Sequence, residues 1–211
     1  MISVGTIVSL VDIGKTYKKN GKPIKILAGF SMTISRGDIV GVLGPNGCGK
    51  TTLLKIIAGL CVQDHGRVEW HLAGDRRRHL GLVLEGRANL MERLSTLENA
   101  KYYCSLRQCD FSLGAFQQLC ADLGLSDINS AVRKSSTGNK LRSALLLALV
   151  HGPTLVLLDE PTNGLDEAGV QQLEAVILSM AAKGCGFVIC SHDLAFINKI
   201  CQSIICLAEA E

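Results

Sequence analysis

The amino-acid sequence predicts an α/β domain, a mostly parallel sheet interrupted by a helical insertion. Three observations carry this expectation. The glycine-rich stretch Gly44-Pro45-Asn46-Gly47-Cys48-Gly49-Lys50-Thr51-Thr52 stands between an apolar run, Ile39 to Leu43, and a helical pattern, Leu53 to Leu60. A second apolar run, Thr154 to Leu158, suits a strand buried on both faces and ends in two carboxylates, Asp159 and Glu160. Between the two, from Gly86 to about Val150, leucines and alanines recur at helical spacing.

Taken in order, Thr6 to Val11 reads as a first strand and Ile24 to Ile34 as a second, separated by the turn signal Asn20-Gly21-Lys22-Pro23. Ser35-Arg36-Gly37-Asp38 turns the chain into the strand before the glycine-rich stretch. Arg67 to Leu72 alternates polar and apolar residues, as a half-exposed strand does. The Arg76-Arg77-Arg78 run reads as a solvated loop, and Leu80 to Leu84 as a short buried strand ending at Glu85. In the insertion, Ser95-Thr96-Leu97-Glu98 has the form of a capping box. Phe116, Leu119, Cys120 and Leu123 keep a helical stripe closed by Gly124, and a further helix is expected over Ser143 to Val150. The core resumes at Pro153, with helices at Leu165 to Lys183 and Leu194 to Ile200 and strands at Phe187 to Cys190 and Ser203 to Leu207.

At 211 residues, 47% of them apolar and 19% charged, the chain has the size and composition of one globular domain. A net charge of +3 is too small to argue for a nucleic-acid partner or a membrane surface. Ile7 to Val11 is too short for a secretory signal, since Asp12 and Lys15 soon follow it. The longest apolar run, Ala144 to Val150, falls far short of the ~20 residues that span a bilayer. Any membrane component must therefore come from elsewhere. The nine cysteines are odd in number and include no C-x-x-C pair, which argues against a disulfide framework or a zinc site and for small core hydrophobes in a reducing cytoplasm.

The chemistry follows from the spacing. Strand, glycine-rich turn and helix in the pattern G-x-x-x-x-G-K-[ST] form a phosphate cradle. Its glycines permit close backbone approach, the amides and the helix dipole favour an anion, Lys50 adds a positive charge, and the Thr51 hydroxyl is placed for Mg²⁺. Adjacent carboxylates at the end of a buried strand are costly unless something uses them. With that strand beside the loop, Asp159 is expected in the Mg²⁺ shell and Glu160 against an attacking water. His192, in Ser191-His192-Asp193, follows the next strand at the same sheet edge, where it can reach a γ-phosphate. The consecutive Ser-His-Asp letters are not read as a hydrolase triad. Ser135-Ser136-Thr137-Gly138-Asn139 at a helix start forms an N-cap and a second anion site, which suggests a partner subunit's nucleotide.

These motifs, in this order and over essentially the whole chain, resemble the nucleotide-binding subunits of ATP-binding cassette (ABC) transporters. The resemblance implies the P-loop NTPase fold. Its RecA-like core would span about 1–85 and 151–211, with an N-terminal antiparallel β-subdomain and a helical subdomain over about 86–150. It assigns Tyr17 to the adenine-stacking position and Gly44, Pro45, Asn46, Gly47, Cys48, Gly49, Lys50, Thr51 and Thr52 to the phosphate loop. Glu85 falls at the Q-loop position, and Ser136 and Gly138 in the signature. Asp159 and Glu160 end the acidic strand, Asn163 to Asp166 form the D-loop, and His192 is the switch histidine. It further implies ATP and Mg²⁺ as ligands, with Thr51, Glu85 and Asp159 toward the metal. The partners implied are a second ATP-binding subunit, identical or different, closing head to tail, and a separate transmembrane permease at the cytoplasmic face of the membrane, docking near Glu85 to Leu94.

Three departures from the family pattern stand out. The signature reads S-S-T-G-N, so Thr137 brings a Cβ where a glycine is usual. Glu85 stands where glutamine is usual and adds a charge near Asp159 and Glu160. Cys48 lies inside the phosphate loop, where the helix dipole and Lys50 favour thiolate, so alkylation is expected to inactivate and ATP to protect. The stretch Leu84 to Leu90 resembles export-type members, and the chain leaves no room for the C-terminal regulatory extension many members carry. The function expected is ATP hydrolysis that drives export through the permease. The alternatives are a soluble regulatory ATPase without a membrane partner, or a degenerate subunit paired with an active one.

Overall fold

The computed structural model describes residues 5–19, 21–86 and 90–208. The elements run β1 (Thr6–Lys19), β2 (Lys22–Ser35), β3 (Ile39–Leu43), α1 (Lys50–Ile57), β4 (His65–Trp70), α2 (Arg76–His79) and β5 (Leu80–Val83). They continue with α3 (Thr96–Leu106), α4 (Leu113–Asp122), α5 (Thr137–Leu149), β6 (Leu155–Asp159), α6 (Glu167–Ala182), β7 (Gly186–Cys190), α7 (Leu194–Ile200) and β8 (Ser203–Cys206).

Five strands form a parallel sheet in the order β5-β6-β7-β3-β8. Alternation along these strands sends side chains to two cores. Val40, Val42, Leu155, Leu157, Val188 and Cys190 pack on the face that carries α1 and the β1–β2 ribbon. Ile39, Val156, Leu158, Phe187 and Ile189 pack on the other, with apolar residues of α4, α5, α6 and α7. Burial on both faces explains why the central strands read as unbroken apolar runs. The remaining strands form an antiparallel sheet, β2-β1-β4, at the N-terminal side.

Three expectations are corrected. β1 does not stop at Val11. Asp12 adopts φ 54°, and the register shifts across Leu10 to Ile13 as in a bulge, so the strand continues to Lys19. The arginine run is a single helical turn, not a loop, because Asp75 caps it by accepting from Arg77 N at 2.9 Å. The Arg77 guanidinium beside it holds the Asp75 carboxyl down at about 2. Helix α5 begins at Thr137, six residues before the expected Ser143, since Ser136 caps it through Asn139 N at 3.2 Å. The acidic strand β6 is separated from β3 by β7, yet its end lies against the phosphate loop, where Thr51 meets Asp159.

The capping box occurs as read. Ser95 accepts from Glu98 N, and Glu98 accepts from Ser95 N at 2.8 Å. Five of the nine cysteines, at 48, 104, 120, 185 and 190, are buried. Burial pushes the Cys104 and Cys185 thiols up to about 12, so they behave as inert core residues.

Candidate functional site

The phosphate loop hangs between β3 and α1. Gly49 caps the helix in the left-handed region, φ 107°, and a Cβ there would stand 2.4 Å from Ile26 Cγ2. Only glycine meets both conditions. Lys50 follows, buried, with its ammonium turned back into the loop, donating to Gly44 O at 2.7 Å and Pro45 O at 3.2 Å. A full charge held by two carbonyls in a ring of backbone amides is an anion site in waiting.

One strand spacing is ~4.8 Å, so β6 sits about 10 Å from β3 with β7 between. Helix α1 closes that gap, crossing over β6 and β7. Its Thr51 Oγ1 donates to Asp159 Oδ2 at 2.6 Å. Asp159 is 3% exposed, and burial raises its carboxyl above the usual range. The Thr51 bond opposes that rise, while the charges of Glu85 and Glu160 add to it.

Glu160 takes φ 49°, a strained conformation for a non-glycine residue, costing of order 1 kcal/mol or more. It is held there by its N–H, which donates to Cys190 O at 2.8 Å and extends the β6–β7 ladder. Its carboxylate Oε2 accepts from Ser191 Oγ at 3.1 Å and His192 N at 3.2 Å, and bonds His192 Nδ1 at 2.8 Å. With the carboxylate ionised, that last bond places a proton on Nδ1. The interposed strand β7 is what brings Ser191 and His192 to Glu160.

These groups open onto one cleft of about 670 Å³. It is lined by Tyr17, Ile26, Gly44, Pro45, Asn46, Gly47, Gly49, Lys50, Thr51, Thr52, Glu85, Asp159, Glu160 and His192. Ser136 and Gly138 are not among the lining residues. Ser136 caps α5 and Gly138 stands in its first turn, where a Cβ would lie 2.9 Å from Gly164 O, so this segment lies directly on the turn after Glu160. Cys48 is also absent from the lining. Its thiol is 1% exposed and lies beneath Gly44, facing the core. The expectation of a reactive cleft thiol is corrected accordingly, since alkylation requires the loop to open. Within the export-like stretch, Arg87, Ala88 and Asn89 lie outside the described residues.

Several contacts were not foreseen from the sequence. Asn163 Nδ2 donates to Glu85 Oε1 at 3.1 Å, which ties the Q-loop position to the turn after the acidic strand. Arg142 donates to Leu123 O and Gln172 Oε1 from Nη1, at 2.7 and 2.5 Å, and to Asp166 Oδ1 from Nη2 at 2.7 Å. The single guanidinium thus joins α4, α5 and α6. An arginine entering the apolar run Ala144 to Val150 was the one signal available for it.

The comparisons with known proteins agree with this arrangement. Residues 27–163 match the family model described as ABC transporter. The chain is 32% identical over 201 residues to the lantibiotic transport ATP-binding protein SrtF of Streptococcus pyogenes, covering 92% of this chain and 83% of that one. It is also 32% identical over 201 residues to a fluoroquinolones export ATP-binding protein of Mycobacterium tuberculosis, covering 89% of this chain but only 63% of that one. Among solved structures, a dimeric post-hydrolysis state of the ATP-binding cassette MJ0796 bound to ADP and Pi superposes with a TM-score of 0.82 at 26% identity, covering 97% of this chain and 98% of that one. The phosphate loop, the acidic strand end, the histidine beyond it and these similarities agree on one conclusion: the chain belongs to the ABC transporter family, as an ABC-type ATPase domain.

Proposed function

We propose that this chain, as a single cassette domain over residues 1–211, binds and hydrolyses ATP as the energy-supplying subunit of a membrane exporter. The observation that carries the reading is the Glu160 carboxylate, fixed by Ser191 and His192 at the rim of the cleft that holds Lys50. Lys50 and the loop amides bind the phosphates, and Tyr17 stacks on the base. The residues also fit Mg²⁺. Asp159 is a buried carboxylate bonded by the Thr51 hydroxyl and by the backbone at Glu85. Among the described residues no three His, Cys, Asp or Glu groups make a metal site by themselves, so the remaining ligands would be phosphate and water oxygens, as is usual for this ion. Thr51 and Asp159 would hold it, with Glu85 beside them, and when bound it neutralises charge on the phosphates. Glu160 takes a proton from the attacking water as the new O–P bond forms and the bridging bond to the β-phosphate breaks, leaving ADP and phosphate. His192 keeps that carboxylate aimed.

Ser136 and Gly138, outside the lining of their own chain's cleft, complete the site of a second cassette. The dimeric relative supports this. The permease, export and the cytoplasmic membrane face rest on the names of the relatives and on a chain in which no described helix is long and apolar enough to cross a bilayer. A second reading, a degenerate subunit beside an active one, draws on Asn163 engaging one carboxylate oxygen of Glu85. Phosphate release by wild type and Glu160→Gln decides between them. The active reading expects a fall of ~100-fold or more with a retained ATP-stabilised dimer on gel filtration. Equal rates, or no hydrolysis by wild-type homodimers, would sink it.

A further inference from the structure

Tyr17 stands at the edge of the cleft, about two-fifths exposed, near the end of β1. An aromatic side chain so exposed has freedom to swing, yet this ring is braced from two sides. Its hydroxyl lies 3.4 Å from Cys61 Sγ. The Cys61 thiol in turn is 3.7 Å from Val62 O, so the S–H donates onward and the sulfur accepts the tyrosine proton. The Lys15 ammonium stands 5.4 Å from the ring centroid, in cation–π range. Lys15 is itself fixed by Asp64 Oδ1 at 2.7 Å, while Asp64 Oδ2 accepts from Thr16 N at 2.7 Å.

Cys61 belongs to the turn that ends α1, while Asp64 stands just before β4 and donates from its N–H to Gly14 O at 2.8 Å. Leu60 N and Cys61 N both donate to Lys55 O, at 2.8 and 3.1 Å. The other end of the same helix carries Lys50 and Thr51. The ring is thus tied through Cys61 to the rigid helix that starts at the phosphate loop. We propose that Cys61 is a positioning residue for nucleotide binding, holding Tyr17 through its hydroxyl so that base platform and phosphate loop keep a fixed separation set by α1. The proposal rests on the reading of Tyr17 as the base-stacking residue. In line with the contact, the Cys61 bond is the foremost cause raising the Tyr17 hydroxyl above its ordinary pKa.

The test is calorimetric titration of the full chain with ATP and with inorganic tripolyphosphate, which has the phosphates but no base. Cys61→Val and Tyr17→Phe each delete one side of the contact and keep the other side chain's bulk. Each is expected to weaken ATP about three- to fivefold, the size of one weak neutral hydrogen bond, and to leave tripolyphosphate unchanged. Cys61→Ser, which can still bond the hydroxyl, is expected close to wild type. The double variant Cys61→Val/Tyr17→Phe is expected to lose no more than Tyr17→Phe alone, because that change already removes the Cys61 bond together with a weaker one to Thr52. Unchanged ATP affinity in Cys61→Val, additive losses in the double variant, or an equal loss for tripolyphosphate would each overturn the role of Cys61. Tyr17→Ala separates the two readings. If it too binds ATP as wild type does, base stacking on Tyr17 falls along with the proposal. If it weakens ATP while Cys61→Val does not, only the proposal falls.

Discussion

His151 lies between α5 and β6, packed among residues far from the cleft. Burial is the main reason its imidazole is pushed down from 6.5 to about 4, and the charge of Arg107 adds to it. The backbone beside Leu80 and Leu147 pulls the other way, more weakly. Because the folded value is depressed, the unfolded chain binds the proton first as pH falls. Stability is unaffected by this group above ~6.5, is lost progressively between about 6.5 and 4, and levels off below. At about 1.4 kcal/mol per pH unit, the full loss is about 3 kcal/mol, a large share of the ~5–15 kcal/mol that holds a typical domain together. Replacing His151 by Phe keeps an aromatic ring and removes the titration. Urea unfolding of both proteins at pH 7.5, 6, 5 and 4 isolates the group, since all other titrating residues are shared. Wild type is expected to lose ~3 kcal/mol more than His151→Phe over this range. Stability curves that run parallel from pH 7.5 to 4 would show that burial of this ring does not exclude its proton.

Two further outcomes are expected. In Gly138→Ala the new Cβ would stand 2.9 Å from the Gly164 carbonyl, a backbone atom with no rotamer to escape by. The overpacking costs about 1–2 kcal/mol, and phosphate release is expected to fall at least tenfold while circular dichroism stays native; full activity with an unchanged Tm would count against the contact. Brief treatment with N-ethylmaleimide followed by peptide mass mapping is expected to label exposed Cys206 and partly exposed Cys61 and to spare Cys48. Labelling of Cys48 ahead of Cys61 would mean that the loop opens readily.

The parts of this molecule that are contiguous in the chain were legible in it. Gly44 to Thr52 and Leu155 to Glu160 each carry their chemistry within nine residues, and their flanking apolar runs announce the strands that hold them. Periodicity found most helices for the same reason. What escaped has other causes. The bulge at Asp12 depends on a positive φ at a non-glycine residue, which no pattern marks. The cap over Ser135 to Asn139 was legible, but α5 was started late because mostly polar residues follow the cap until the apolar run begins at Ala144. Strand order is not written locally, so the placing of β7 between β3 and β6, and with it the meeting of Ser191 and His192 with Glu160, emerged only in three dimensions. Tyr17 with Cys61 and Arg142 with Asp166 are partners 44 and 24 residues apart, joined by the fold alone.

Arg142 has a mechanical consequence. A planar guanidinium carried by α5 and bonded to α4 and α6 resists sliding and twisting among the three, because such motion strains at least one directional bond. The start of α6 at Asp166, the signature at the start of α5 and the end of α4 thus share a single fastening, and the spacing from Gly138 to Gly164 becomes a fixed gauge length. Displacement of one helix against the others is thereby resisted, and the three are favoured to shift together.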